Sequence, residues 1–220
     1  MKKALMAWSG GKDSALALDE IKKSGEYQIE ALLTTVTREY ERISMHGVPV
    51  ALLRRQVESL GYPLEIVWIS KDASNEDYES QMALKLKESI QKGVQAVIFG
   101  DIFLRDLRRY REENLAKVGL EAVFPLWQKK TSLLSKQFVE RGFQAVVTCV
   151  DSQVCPGEFS GREYNAALLA SLPSKVDPCG ENGEFHSFVY AGPIFRDPIQ
   201  FKKGEIVLRE NRFSFCDLQP

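Results

Sequence analysis

The sequence predicts an α/β protein: a doubly wound, mainly parallel sheet followed by a smaller C-terminal α+β portion. Two observations predict it. Through the first two thirds of the chain, apolar runs of strand length alternate with segments of helical period, and such alternation implies parallel strands joined by right-handed crossovers. Several strand runs, such as AVIFG at Ala96–Gly100 and AVVTCV at Ala145–Val150, lack polar alternation, as strands covered on both faces do. After Val150 the rhythm changes, and turn formers with acidic groups crowd Asp177–Phe195.

The elements follow in order. Lys3–Trp8 reads as a buried strand, and Ser14–Lys23 as a helix with Ala15, Leu18 and Ile21 on one face. Ile29–Val36 is the next strand. Val50, Leu53, Val57 and Leu60 then fall at helical spacing, with Pro49 tolerated in the first turn. Leu64–Ile69 reads as a strand, Glu76–Lys92 as a helix carrying Met82, Leu86 and Ile90, and Val94–Gly100 as a strand. Asp106–Val118 is a helix using Leu107, Tyr110, Leu115 and Val118, and Glu121–Leu126 a short strand. Thr131–Arg141 is helical and Ala145–Val150 a strand. A helix at Arg162–Leu172 stops before Pro173, and strand-like pieces stand at Glu205–Arg209 and Arg212–Cys216.

A length of 220 residues allows one medium and one small unit, and the expected division is 1–128 and 129–220. A formal net charge of −1 gives no global field for nucleic acid or an anionic membrane. No apolar run approaches the roughly 18–20 residues of a membrane span, and the N-terminal run is too short for a signal-peptide core; a cytoplasmic protein is expected. None of the four cysteines forms a C-x-x-C pair, so a zinc ribbon or thioredoxin-type site is not indicated. A homodimer is kept as an expectation with no motif behind it.

The chemistry concentrates first at Ser9-Gly10-Gly11-Lys12-Asp13-Ser14, between the first strand and the first helix. Ligands of open α/β sheets collect beyond the carboxyl ends of the strands. Two glycines let backbone approach a ligand closely, the helix N-terminus favours an anion, and Ser9, Ser14 and Lys12 add donors and charge. Asp13 is out of place beside a bare anion but sensible if Mg²⁺ bridges it to phosphate. The order is neither the P-loop nor the G-x-G-x-x-G dinucleotide fingerprint.

The stretch resembles the PP-loop of the ATP pyrophosphatases, HUP-type, Rossmann-like proteins also grouped as adenine nucleotide alpha hydrolase-like, which cleave ATP between its α- and β-phosphates. HGVP at His46–Pro49, VIFGDI at Val97–Ile102, VFPLW at Val123–Trp127, VTCVDS at Thr148–Ser152 and DPCGENGEFHSFVYAGPIF at Asp177–Phe195 narrow it. With these segments in register, the chain is similar to the diphthine–ammonia ligase family. That resemblance implies ATP and Mg²⁺, ammonium as nitrogen donor, and a carboxylate acceptor, diphthine on translation elongation factor 2, amidated with release of AMP and pyrophosphate. No glutaminase constellation stands in the sequence, so free ammonium is expected.

On this reading Ser9, Gly10, Gly11, Asp13 and Ser14 hold the phosphates, with Lys12 and an Asp13-bound Mg²⁺ as counter-charge. The backbone of Leu33, Thr34 and Thr35 faces adenine. Lys12, Asp13, Asp101 and Glu184 are the expected catalytic residues, Glu184 or Asp101 taking a proton from ammonium. His46, Trp127, Glu181, Asn182, Glu184 and His186 are the expected acceptor-side residues, through carboxylates, an amide and aromatic faces. Two alternatives stay open: a PP-loop enzyme acting on another carboxylate, a small metabolite or tRNA, and a non-catalytic nucleotide-binding protein.

Overall fold

The computed structural model describes Met1–Pro220. The first sheet is built from β1 (Lys2–Ala7), β2 (Tyr27–Thr37), β3 (Arg42–Ile43), β4 (Leu64–Ile69), β5 (Ala96–Ile98) and β6 (Glu121–Val123). All its pairings are parallel except the two-residue β3, which runs antiparallel to the end of β2. Across the sheet the parallel strands run β4-β2-β1-β5-β6. Strand order therefore reverses between β1 and β5. Their carboxyl ends form the crevice where an open sheet takes a ligand, and the loop at Ser9 and the residue Asp101 follow those two ends.

The alternation hidden in the apolar strands separates two cores. Ala4, Met6, Trp8, Leu32 and Ile98 face the larger core, with α1 (Lys12–Ser24) and α2 (Val50–Leu60). Leu5, Ala31, Leu33, Val97 and Phe99 face a smaller core under α3 (Asn75–Gln91) and α4 (Arg105–Ala116). This second cover is thin: α3 buries only Leu86 and Ser89, and α4 only Leu115. A slot therefore opens between these helices and the sheet.

The second sheet has the order β8-β7-β10-β9, from β7 (Gln144–Asp151), β8 (Phe185–Ala191), β9 (Lys202–Arg209) and β10 (Phe213–Gln219), all antiparallel. Here the sequence reading needs correction. The AVVTCV run is buried along its whole length, as expected, but it pairs antiparallel within this sheet and not in a parallel one. The stretch after Asp177 contains a strand, β8, which the flanking turn formers masked. The helix expected at Arg162–Leu172 shortens to α6 (Ala166–Ser171), with Asn165 Oδ1 accepting from Leu168 N at 2.9 Å. Residues before it are held along β7: Arg162 O accepts from Val147 N, and Tyr164 N donates to Ala145 O. α5 (Thr131–Glu140) lies between the sheets in sequence, and the larger core runs on through Phe138, Val146, Phe185 and Phe188 into the second sheet. No helix is long and apolar enough to cross a membrane.

Candidate active site

The loop after β1 turns at Gly10, whose φ of +77° suits glycine. A β-carbon there would lie 2.8 Å from Gln56 Oε1, and one on Gly11 2.8 Å from His46 Cε1. Helix α1 begins at Lys12. Its first amide donates to Ser187 Oγ at 3.2 Å, while those of Asp13 and Ser14 find no acceptor in the chain. They are free donors at a positive helix end, suited to phosphate oxygens. Ser14 Oγ donates to Gly11 O at 2.8 Å and lies 3.3 Å from Ser9 Oγ.

The loop is fixed from behind by residues that sequence reasoning missed. Gln56, fully buried on α2, accepts from Trp8 Nε1 at 3.1 Å and donates to Gly10 O at 3.0 Å and Val189 O at 2.6 Å. Val189 N donates to Gly10 O at 2.9 Å. Strand β8 of the second sheet is thus the back wall of a loop belonging to the first. No local pattern signals Gln56 or Ser187, because their partners lie 46 and 175 residues away in sequence.

A cavity of about 740 Å³ opens in front of the loop, lined by every residue of Ser9–Ser14 except Gly10 and by Leu33–Thr35, His46, Asp101, Glu181 and His186. Its floor is the slot beneath α3 and α4, with Met82, Leu86, Phe99, Tyr110 and Val118. Lys12 is buried, its Nζ 3.0 Å from Asp13 Oδ2 and 5.0 Å from the Phe185 ring centre. Burial works against its charge, but Asp13 and, more weakly, Glu181 outweigh it, so Lys12 stays an ammonium. Burial raises the Asp13 carboxyl, Lys12 opposing. Asp13 Oδ1 is buried with no partner.

The structure divides the other expected site residues. Asp101 is clamped by Arg111, whose Nε lies 2.9 Å and Nη2 3.2 Å from its two oxygens. Glu181 reaches over the end of β5, where Oε1 accepts from Ile102 N at 2.7 Å and Phe103 N at 3.2 Å. Burial lifts it to about 7, helped by the negative fields of Asp13 and Asp101 and resisted by those two amides. Glu184 turns the other way. It is buried and does not line the cavity; it accepts from Asp177 N, Asn182 N and Asn182 Nδ2 at 2.9–3.0 Å. Asn182 is used in that same knot. Trp127 also stands off the cavity, holding Arg108 over its ring at 4.6 Å. His46 and His186 pack at 4.7 Å between ring centres, and His46 Nδ1 lies 3.1 Å from Ser187 O. Burial lowers His46 to about 4 and His186 well below its ordinary value, so both imidazoles are neutral near pH 7.

No group of three or more His, Cys, Asp or Glu side chains gathers to hold a metal by itself. A magnesium ion bound mainly through phosphate oxygens and water needs only one protein carboxylate, and the unpartnered Asp13 Oδ1 fits that need.

A helix end with free amides, a lysine–carboxylate pair and a strand-order reversal meet at one end of the first sheet, an arrangement suited to an anionic ligand. Comparison with known proteins decides the family. Residues 1–122 match the diphthamide synthase N-terminal domain, and residues 130–219 the diphthamide synthase C-terminal domain. The chain belongs to the diphthamide synthase family. Membership marks it as an ATP-dependent ligase. It is 26% identical to the diphthine–ammonia ligase of Homo sapiens over 227 residues, spanning 91% of this chain and 83% of that protein. With the Schizosaccharomyces pombe diphthine–ammonia ligase the identity is 25%, over 93% of this chain and 37% of the relative. Among solved structures, a predicted subunit of tRNA methyltransferase from Methanocaldococcus jannaschii is 17% identical with a TM-score of 0.42, over 66% of this chain and 77% of that one. The U34-tRNA thiolase NcsA from Methanococcus maripaludis is 17% identical with a TM-score of 0.37, over 62% and 56%. In the family's terms, β8 of the C-terminal part braces the glycine loop of the N-terminal part.

Proposed function

We propose that the protein adenylates a carboxylate with ATP and transfers the acyl group to ammonium, forming an amide, AMP and pyrophosphate. The acceptor we assign is diphthine, the group in the relatives' names, carried on elongation factor 2 as the family resemblance implies. The observation that carries the reading is Asp13 Oδ1, buried and unpartnered beside the free amides of α1, on a residue that lines the same cavity as Glu181.

On this reading residues 1–128 take ATP and residues 129–220 the acceptor. Phosphates lie on Ser9–Ser14, and adenine enters the slot beside Leu33–Thr35. Mg²⁺ held at Asp13 would neutralise phosphate charge. The acceptor carboxylate attacks the α-phosphorus and pyrophosphate leaves. Lys12, kept charged, stabilises the negative charge that develops there. Ammonia then attacks the acyl carbon and AMP leaves. Ammonium must first lose one proton, and Glu181, near 7, suits a base working at neutral pH. Glu181 therefore takes the role first expected of Glu184 or Asp101: Glu184 is bound into its loop, and Asp101 is paired with Arg111. His46 and His186 are neutral walls for the acceptor.

Incubation with ATP, Mg²⁺, ammonium and diphthine-bearing elongation factor 2, followed by phosphorus NMR, tests this. AMP and pyrophosphate in step with amide formation are expected. ADP and orthophosphate as primary products would refute the adenylation step.

A further inference from the structure

The free edge of the second sheet carries an unusual strand. β9 is the last strand in the order β8-β7-β10-β9, and its centre is apolar. Ile206, Val207 and Leu208 are 55%, 41% and 57% exposed. Register with β10 sets their faces. Ile206 lies opposite Cys216 and Leu208 opposite Ser214, both buried, so these two side chains are on the core face but beyond the core's cover. Val207 lies opposite Phe215 on the other face, with Glu205 and Arg209. An open apolar edge of this kind is a template for another strand. None of these residues lines the cavity.

The sequence of the edge says which strand. Two copies pairing antiparallel about a two-fold axis must place one residue opposite itself, because cross-strand neighbours share a face. Centring on Glu205 opposes two carboxylates and sets Lys203 against Val207. Centring on Ile206 sets Lys203 against Arg209. Centring on Leu208 sets Val207 against Arg209 and Ile206 against Glu210. Centring on Val207 pairs Ile206 with Leu208 and Glu205 with Arg209, each twice. Centring on Gly204 pairs Lys203 with Glu205 but sets Ile206 against Lys202, so of these registers only the one about Val207 matches apolar with apolar and charge with opposite charge. The turn at Glu210 and Asn211, with φ of 53° and 50°, ends the strand just after the matched segment.

We propose that the protein is a homodimer in which β9 of two copies pairs antiparallel about Val207, joining the two four-stranded sheets into one. The exposed Ile206 and Leu208 side chains of both copies cover one another, and two Glu205–Arg209 pairs fix the register.

Sedimentation equilibrium with charge-reversal variants tests the proposal. The wild type is expected at twice the chain mass. Glu205→Arg alone, or Arg209→Glu alone, puts like charges opposite each other twice and should weaken the dimer about tenfold or more. An equimolar mixture of the two variants restores both attractive pairs and should return to the dimer mass, which also shows that both are folded. If one variant fails to fold, Val207→Lys, which sets two ammonium groups face to face on the axis, should give a monomer. A wild type that is monomeric at about 100 µM, a dimer unaffected by these changes, or two folded variants whose mixture stays monomeric would each overturn the proposal.

Discussion

The glycine loop Ser9–Ser14, the proposed phosphate site, and the acidic loop Asp177–His186 are built alike and behave oppositely. Both turn on glycines with positive φ, at Gly10 in one and at Gly180 and Gly183 in the other, and both are rich in charge. The first leaves two backbone amides and one buried carboxylate oxygen unpaired. The second uses Glu184, Asn182 and Asp177 to hold itself: Glu184 collects three hydrogen bonds, and Asp177 Oδ1 accepts from Cys179 N and Glu181 N. Only Glu181 escapes this knot and is carried over to β5. A charged residue's role thus follows from which of its atoms remain unbonded, and carboxylates three positions apart on one loop can have different tasks.

Breaking the nucleotide side should have the largest effect. Asp13→Ala removes the unpartnered oxygen and the counter-charge of Lys12, and ATP turnover should fall at least about 100-fold, measured as pyrophosphate release; near-normal turnover would dissociate Asp13 from the reaction. Gln56→Ala should come next. It leaves Trp8 Nε1 without its acceptor and takes the side-chain donor from Val189 O and Gly10 O, the latter keeping Val189 N; about 1–3 kcal/mol of stability should be lost, read by urea titration, and ATP binding should weaken through a looser loop. Glu184→Gln sharpens the comparison from the other side. It replaces an acceptor oxygen of the knot by a donor, so about 1–3 kcal/mol of stability should be lost. Turnover of the folded protein should stay within a few fold; a large loss of amide formation at unchanged stability would return Glu184 to the chemistry.

The parts legible in the sequence were those written locally. Gly10-Gly11 between an apolar run and a helical period marks the strand–loop–helix, and the helical spacings located α1 through α5 closely. Strand β8 was illegible because Asp177–Gly183 and Gly192–Pro193 frame it with turn signals. Its bonds to Gly10 and Lys12 join residues some 175 positions apart. The Arg111 clamp on Asp101 depends on how α4 returns over β5, and Arg111 stands in a charge run that reads as a solvated helix face. For Glu181 and Glu184, spacing could not say which carboxylate the turns at Gly180 and Gly183 would aim outward.

The central claim is that Glu181 supplies the working carboxylate and Glu184 holds the loop. It is tested most directly by the pH dependence of amide formation in the wild type, Glu181→Gln and Glu184→Gln at saturating ATP and saturating ammonium, so that the supply of free ammonia does not set the limb. Glutamine at 181 keeps the oxygen that accepts from Ile102 N and Phe103 N, so the loop should remain in place. Glu181 is protonated and inactive as a base below its value of about 7, so the wild-type rate should rise with pH through that value and level off above it. Glu184→Gln should keep this rising limb, and Glu181→Gln should lose it, with a plateau rate about 100-fold lower. A limb that persists in Glu181→Gln, or disappears in Glu184→Gln alone, would contradict the account.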